Sequence, residues 1–297
     1  METMLAEGAV VERVRRDPSV RLDPWVEHAA LIYDSGGFAA LGRIYWEYLG
    51  IAREFGLPFV TFSPTWRANP ERLRQAGLED RDVNGDGVRF LQQIVSESGN
   101  AEVFAGGLMG CRGDAYRPEE ALGEAEATSF HAEQARALAA AGPDFLFGAT
   151  LPAASEARGM ARALAGCGLP YFLSFVITAE GKLLDGTPMG EAMASIDAGI
   201  APAPAGYFVN CVHPETLEAA LGGCGRLERL VGFQGNTSRR APAEREGLAE
   251  LEGEDPGVFA DWVERLRVRF GLRVVGGCCG TDGRHIRAIA ERIAGAA

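Results

Sequence analysis

The sequence contains no run of about 18 apolar residues, the length a membrane-spanning helix needs. Its longest candidate, 198–209, is broken by Pro202 and Pro204. It also lacks a surplus of basic charge, since 29 Lys and Arg stand against 41 Asp and Glu for a formal net charge of -12. Binding a phosphate backbone requires clustered Lys and Arg, so nucleic acid is excluded as a partner. The amino terminus places Glu2, Glu7 and Glu12 and the cluster Arg13, Arg15 and Arg16 ahead of any apolar block. That is not the order of a secretory signal, and the cytoplasm is the default compartment. In a reducing compartment six cysteines read as thiols rather than a disulfide framework, and clustered ones as metal-binding or catalytic. No internal repeat, long linker or heptad seam is present, although an oligomer is compatible with the sequence. No glycine-rich phosphate fingerprint follows the first apolar run, which argues against a doubly wound dinucleotide-binding sheet.

What is present is an ordinary globular composition, 47% hydrophobic and 24% charged over 297 residues. Eight short apolar runs rich in Val, Phe, Ile and Tyr fall at 31–34, 59–63, 103–108, 145–150, 171–177, 207–211, 230–234 and 273–278. Stretches of helical period separate them, as over 118–141. Eight strand-helix repeats predict one α/β domain, a (β/α)8 TIM barrel over 29–297. Residues 1–28 read as an N-terminal extension with a short helix. The segment 236–256, rich in Glu, Arg, Gly and Pro, reads as a long surface loop after the seventh strand.

The most informative feature is Cys278-Cys279 within Val274-Val275-Gly276-Gly277-Cys278-Cys279-Gly280-Thr281. Packing does not call for two neighbouring thiols flanked by glycines, because Val or Ile fills a buried strand end better and a disulfide between neighbours is strained. Soft thiolates select zinc or copper(I). Functional groups of a barrel gather at the carboxyl ends of its strands, and the sixth run ends in Asn210-Cys211. Strands six and eight share parity around the barrel, so Cys211, Cys278 and Cys279 can converge. Three protein ligands leave one zinc position open, as catalytic rather than structural sites do.

Asn210-Cys211 followed by Gly276-Gly277-Cys278-Cys279-Gly280-Thr281 resembles the zinc-dependent homocysteine S-methyltransferases. The betaine- and S-methylmethionine-dependent enzymes and the homocysteine domain of cobalamin-dependent methionine synthase belong to that family. The resemblance runs over most of the chain. It implies a methyltransferase of methionine biosynthesis with Zn2+ as cofactor, a small-molecule thiol, homocysteine, as acceptor and a separate methyl donor. No cobalamin or folate domain follows residue 297, so a small onium compound, or delivery by another protein, is expected for the donor. Coordination converts a thiol with a pKa near 8.5 to the nucleophilic thiolate, and no catalytic side chain beyond the zinc-activated substrate thiol is required.

The resemblance also implies a substrate site, with Gly36 and Gly37 after the first strand, Thr65 after the second and Asn210 at the sixth. Two departures concern the acids that hold the substrate ammonium. The family's first strand ends in Asp-Gly-Gly or Asp-Gly-Ala, whereas this one reads Asp34-Ser35-Gly36-Gly37, so Ser35 replaces the acid or Asp34 serves from one position earlier. The fourth ends in Glu-Thr, whereas here Ala149 precedes Thr150. An accepted thiol without an α-amino group, a mercapto acid or alkanethiol, is therefore an alternative. A zinc-binding barrel without catalysis is a second, and a hydrolase using zinc-bound water a third. The all-thiolate ligand set disfavours the last.

Other residues read as structural. His213 is close enough to Cys211 in sequence to be a fourth ligand but fits the loop before the sixth helix better. Asp82, Asn84, Asp86 and Gly87 mimic the start of a calcium loop, yet the twelfth position is Gln93 rather than Glu, and capping by Asn84 or Asp86 is the better reading. Cys111, Cys167 and Cys224 have no partner motif. His28, His131 and His285 read as capping or surface residues.

Overall fold

The computed structural model describes residues 3–100, 102–224, 227–239 and 253–295. Eight parallel strands close into one barrel in sequence order: β1 Met4–Ala6, β2 Phe59–Phe62, β3 Val103–Gly110, β4 Phe145–Leu151, β5 Tyr171–Phe175, β6 Gly206–Asn210, β7 Leu230–Gly235 and β8 Val274–Gly277. The helices are α1 Val11–Arg15, α2 Ser35–Phe55, α3 Pro70–Gln75, α4 Val83–Ser98, α5 Glu124–Ala140, α6 Ala154–Ala165, α7 Met189–Gly199, α8 Pro214–Cys224, α9 Pro256–Phe270 and α10 Gly283–Gly295. None among the described residues is long and apolar enough to cross a membrane. Most of the loop expected over 236–256 lies outside the described residues.

Strands two to eight fall where the apolar runs place them, but the first does not. Residues 31–34 belong to a 3-10 turn, His28–Tyr33, and to the entry of α2. The first strand is Met4–Ala6, inside the stretch read as an extension, so residues 1–28 supply the piece that closes the barrel. Leu5 pairs with Phe59 of β2 and Val275 of β8. The physical reason is local: Asp34 is a helix cap whose carboxylate accepts from Gly37 N at 2.7 Å, and an N-cap commits the next residues to helix. The same contact occupies the Gly37 amide, so it is not offered to an anion.

Aromatic rings fill the barrel. Phe62 lies 4.6 Å from Phe147, Phe147 5.0 Å from Phe208, and Phe208 5.7 Å from Phe172 between ring centroids. The rings need space from neighbouring strands, which glycine supplies: a Cβ on Gly106 of β3 would lie 2.5 Å from the Phe145 ring, and one on Gly232 of β7 would overlap Phe208. This plug fills the barrel interior.

Replacing Asp34 by Ala should cost about 1 kcal/mol of stability in urea denaturation, the worth of a lost N-cap. Metal binding at the cysteines should be unchanged, since 34–37 belong to the scaffold rather than the site.

Candidate metal centre and cavity

The three cysteines meet. Cys211 follows β6, Cys278 and Cys279 follow β8, and their sulfurs all lie within 4.8 Å of one another. The end of β7, between the two strands, holds both segments. Cys211 N donates to Gln234 O at 3.0 Å and Cys278 N to the next carbonyl, Gly235 O, at 2.7 Å. Asn236 Nδ2 then donates to Cys211 O at 2.9 Å, and Thr237 N to Cys279 O at 3.2 Å.

The local backbone carries the strain this arrangement requires. Cys211 has φ 59° and Thr150, at the end of β4, φ 55°. For residues with a Cβ this region costs roughly 1–3 kcal/mol and persists where surroundings over-determine it, typically at functional sites. Asn210 is part of that restraint, because its Oδ1 accepts from Ser174 Oγ at 2.6 Å and Thr150 N at 3.2 Å. It thereby ties the ends of β4, β5 and β6 together.

The glycines around the pair have steric reasons. A Cβ on Gly276 would sit 2.7 Å from Ala6 O of β1, and Gly280 has φ 82°. The β8 loop is fastened to the segment after β1: Gly277 N donates to Glu7 O at 3.1 Å, Ala9 N to Thr281 Oγ1 at 3.0 Å, and Gly280 N to the Glu12 carboxylate.

Hydrogen bonds with Cys211 and then Cys279, together with burial, hold the Cys278 thiol well above its usual range, and the contact with Cys211 does the same to Cys279. Crowded thiols, two of which resist ionising alone, are what a soft cation would relieve. The donor set fits a metal that prefers sulfur.

The trio opens into a cavity of about 280 Å³. Its walls include Glu7, Trp66, Arg67, Tyr116, Phe62, Phe147, Ala149 and Asn210. Of the sequence-predicted substrate residues, Ala149 and Asn210 line it, whereas Ser35, Gly36, Gly37 and Thr65 do not. Thr65 is buried with its hydroxyl given to Leu108 O at 2.6 Å. His213 caps α8, its Nδ1 accepting from Glu215 N at 3.2 Å, and its Nε2 faces Glu254 at 3.3 Å. It stands outside the cysteine cluster. The cap of α4 is Asp82, which accepts from Gly85 N at 3.1 Å, rather than Asn84 or Asp86. Cys111 is buried, and that burial pushes its thiol up to about 12. His28, His131 and His285 are all buried, so none is a surface residue; only His285 has a capping contact, to Asp282 N at 3.2 Å.

Sequence reasoning missed Glu7. It follows β1 directly in Ala6-Glu7-Gly8-Ala9, so an acid followed by Gly-Ala stands after the first strand, where the resemblance expects Asp-Gly-Ala. Its Oε2 accepts from Thr61 Oγ1 and from Phe62 N at 3.0 Å, while Oε1 has no hydrogen-bond partner among the described residues. Burial pushes its carboxyl up to about 8, so without a cationic partner it is mostly neutral at pH 7. Trp66 and Tyr116 were missed too. Trp66 Nε1 donates to Thr150 Oγ1 at 3.1 Å and the Tyr116 hydroxyl lies 2.8 Å from Cys211 Sγ. Neither sits in a motif, and only the fold brings them to the cysteines.

A raised carboxyl pKa stabilises the fold below the unfolded value near 4.5, and that contribution is lost as pH rises through about 8. The ligand-free protein should therefore lose thermal stability between pH 5 and about 8. Glu7→Gln should flatten that part of the profile, and equal slopes for both proteins in scanning calorimetry would show that Glu7 is not the group responsible.

Comparison with known proteins agrees with this architecture. A family model described as homocysteine S-methyltransferase matches residues 4–293. The chain is 26% identical to betaine–homocysteine S-methyltransferase 1 of Mus musculus, over 99% of this chain and 72% of that protein. It is 26% identical to homocysteine S-methyltransferase 4 of Zea mays, over 84% of this chain and 78% of that protein. Among solved structures, the metallated form of the homocysteine methyltransferase MmuM from Escherichia coli superposes with a TM-score of 0.78 at 21% identity, covering 98% of this chain and 96% of that one. At that identity the likeness bears on the fold.

Proposed function

Because the chain belongs to the homocysteine S-methyltransferase family, we propose that it moves a methyl group from a small onium-type donor to the sulfur of homocysteine, with Zn2+ held by Cys211, Cys278 and Cys279. The observation that carries this reading is the convergence of three sulfurs from two strand ends within 4.8 Å in the wall of a cavity. Bound there, zinc would supply the Lewis acidity that keeps an acceptor thiol ionised at neutral pH.

The chain's own residues orient the reactants. Glu7 offers the partnerless Oε1 to the acceptor's ammonium group, and an approaching cation favours the ionised carboxylate over the neutral form that burial imposes. Phe62, Phe147 and Leu108 give the cavity an apolar lining, which strengthens that pairing. The Tyr116 ring, with the Asp114 and Glu12 carboxyls lining the same cavity, suits a positively charged donor. In-line attack by the acceptor sulfur forms the new S–CH3 bond as the bond from methyl to the onium centre breaks, and the donor leaves neutral. No protein nucleophile or redox change is involved.

Ala149 supports a second reading, an acceptor without an α-amino group, since it brings no carboxylate to the wall. That reading rested on two missing acids, and Glu7 removes one of them. The cases separate in one assay: zinc-loaded protein is incubated with homocysteine or mercaptopropionate against a panel of onium donors, and products are identified by mass. Turnover with homocysteine is expected, whereas turnover with mercaptopropionate alone selects the second reading and inactivity with every pair contradicts methyl transfer. Glu7→Gln should raise the homocysteine KM on the order of 100-fold, the scale of removing one partner from a buried ion pair. Cys211→Ser should weaken zinc binding by more than the roughly 10- to 100-fold typical of losing an outer partner, measured by chelator competition.

A further inference from the structure

Tyr116 is the cavity residue whose polar atom lies against the cysteines, and neither the motif nor the comparisons assign it a role. It sits in the loop after β3, which several contacts hold. Arg112 N donates to Glu156 Oε1 at 2.7 Å, Arg67 Nη1 to Gly113 O at 2.5 Å, and Tyr116 N to Asp114 Oδ1 at 2.9 Å. Glu156 is fully buried and also faces His131 at 3.0 Å, so the loop is pinned to the scaffold. The hydroxyl is delivered to 2.8 Å from Cys211 Sγ, on the residue whose backbone is already forced to φ 59°.

In the metal-free protein either partner of this contact can donate. Once Cys211 ligates a cation its sulfur is a thiolate and has no proton, so only the phenol can donate. Three thiolates around a divalent cation carry one net negative charge, and an acceptor thiolate adds another. The neighbouring carboxyls Glu7 and Glu12 do not offset that excess, and the cavity cations are engaged elsewhere: Arg67 lies 4.1 Å from the Trp66 ring centroid and donates to Gly113 O, while Arg15 pairs with Glu27 at 2.9 Å.

We infer that Tyr116 is a positioning residue of the thiolate centre, donating a hydrogen bond to the ligating Cys211 sulfur and thereby drawing negative charge from it and fixing its orientation. The inference rests on the reading that the trio holds a metal. A hydrogen bond to a ligating sulfur reduces its electron donation to the metal and fixes its orientation. The pair therefore does two things: it holds the Cys211 sulfur in one orientation, and it leaves the bound cation more able to polarise the incoming thiol.

The test uses Co2+ as a spectroscopic stand-in in the full-length protein, comparing wild type with Tyr116→Phe. Removing the donor should weaken Co2+ and Zn2+ binding by about 10-fold, the lower end for loss of an outer partner. It should shift the sulfur-to-cobalt charge-transfer band to lower energy while the ligand-field bands still report the same coordination. Thermal melting of the metal-free proteins checks folding. Should the Phe variant misfold, 3-fluorotyrosine at position 116, a stronger donor of nearly the same shape, should move the band to higher energy. Affinity and band unchanged in the variant would make Tyr116 a wall residue and overturn the inference. Ligand-field bands that report a lost oxygen ligand would overturn it in favour of direct coordination. If wild type binds neither metal, the metal reading fails and takes this inference with it, a result distinct from the other two.

Discussion

Two consecutive carbonyls at the end of β7, on Gln234 and Gly235, receive the amides of Cys211 and Cys278, and the rest of the site depends on that pair of hydrogen bonds. In a parallel sheet the strand between two others is the natural bridge, and here it sets the separation of two cysteine segments that are far apart in sequence. Asn236 and Thr237 extend the bridge past the strand end by binding the carbonyls of Cys211 and Cys279. Sulfur placement thus follows from backbone ladders, which are stiff, rather than from side-chain rotamers alone. The left-handed backbone at Cys211 is the local cost of bringing its sulfur to the others.

Closure by β1 has a consequence as large as the cysteines. A strand of three residues contributes little pairing energy, yet it seats Glu7 in the cavity and leads into Gly8-Ala9-Val10-Val11-Glu12, which fastens the Cys279-Gly280-Thr281 turn. The amine end of the proposed acceptor site and the metal end are therefore joined through Glu7 O and Gly277 N. The aromatic plug of Phe62, Phe145, Phe147, Phe172 and Phe208 fills the barrel interior, and the glycines of β3 and β7 leave room for the Phe145 and Phe208 rings. The chemistry is confined to one mouth of a filled barrel.

Most of this was legible in the sequence. Seven strands were visible because buried parallel strands read as continuous apolar runs, and the meeting of the three cysteines was visible because strand parity brings β6 and β8 to the same region. The first strand was not. Met4-Leu5-Ala6 is too short to stand out, while Leu31-Ile32-Tyr33 is apolar enough to imitate a strand and is followed by an Asp-Ser-Gly-Gly that imitates the expected loop. Asp34 distinguishes them, since an Asp three residues before Gly37 is also a helix cap. That substitution of one acid-glycine motif for another produced both the extension assigned to 1–28 and the missing acid at Ser35. Thr65 lies off the cavity for a different reason: a hydroxyl near a strand end can serve the fold, and Leu108 O takes it. Tyr116 and Trp66 carried no local signal, because their roles depend on where the β2 and β3 loops land.

The central claim is that Cys211, Cys278 and Cys279 bind one zinc ion and leave a place for the acceptor's sulfur. Zinc-edge X-ray absorption on the zinc-loaded protein, with and without homocysteine, tests it most directly. Three sulfur ligands at about 2.3 Å are predicted before addition, with a lighter ligand completing the shell, and four sulfurs after it. A shell that contains fewer than three sulfurs, or one that homocysteine leaves unchanged, would contradict it.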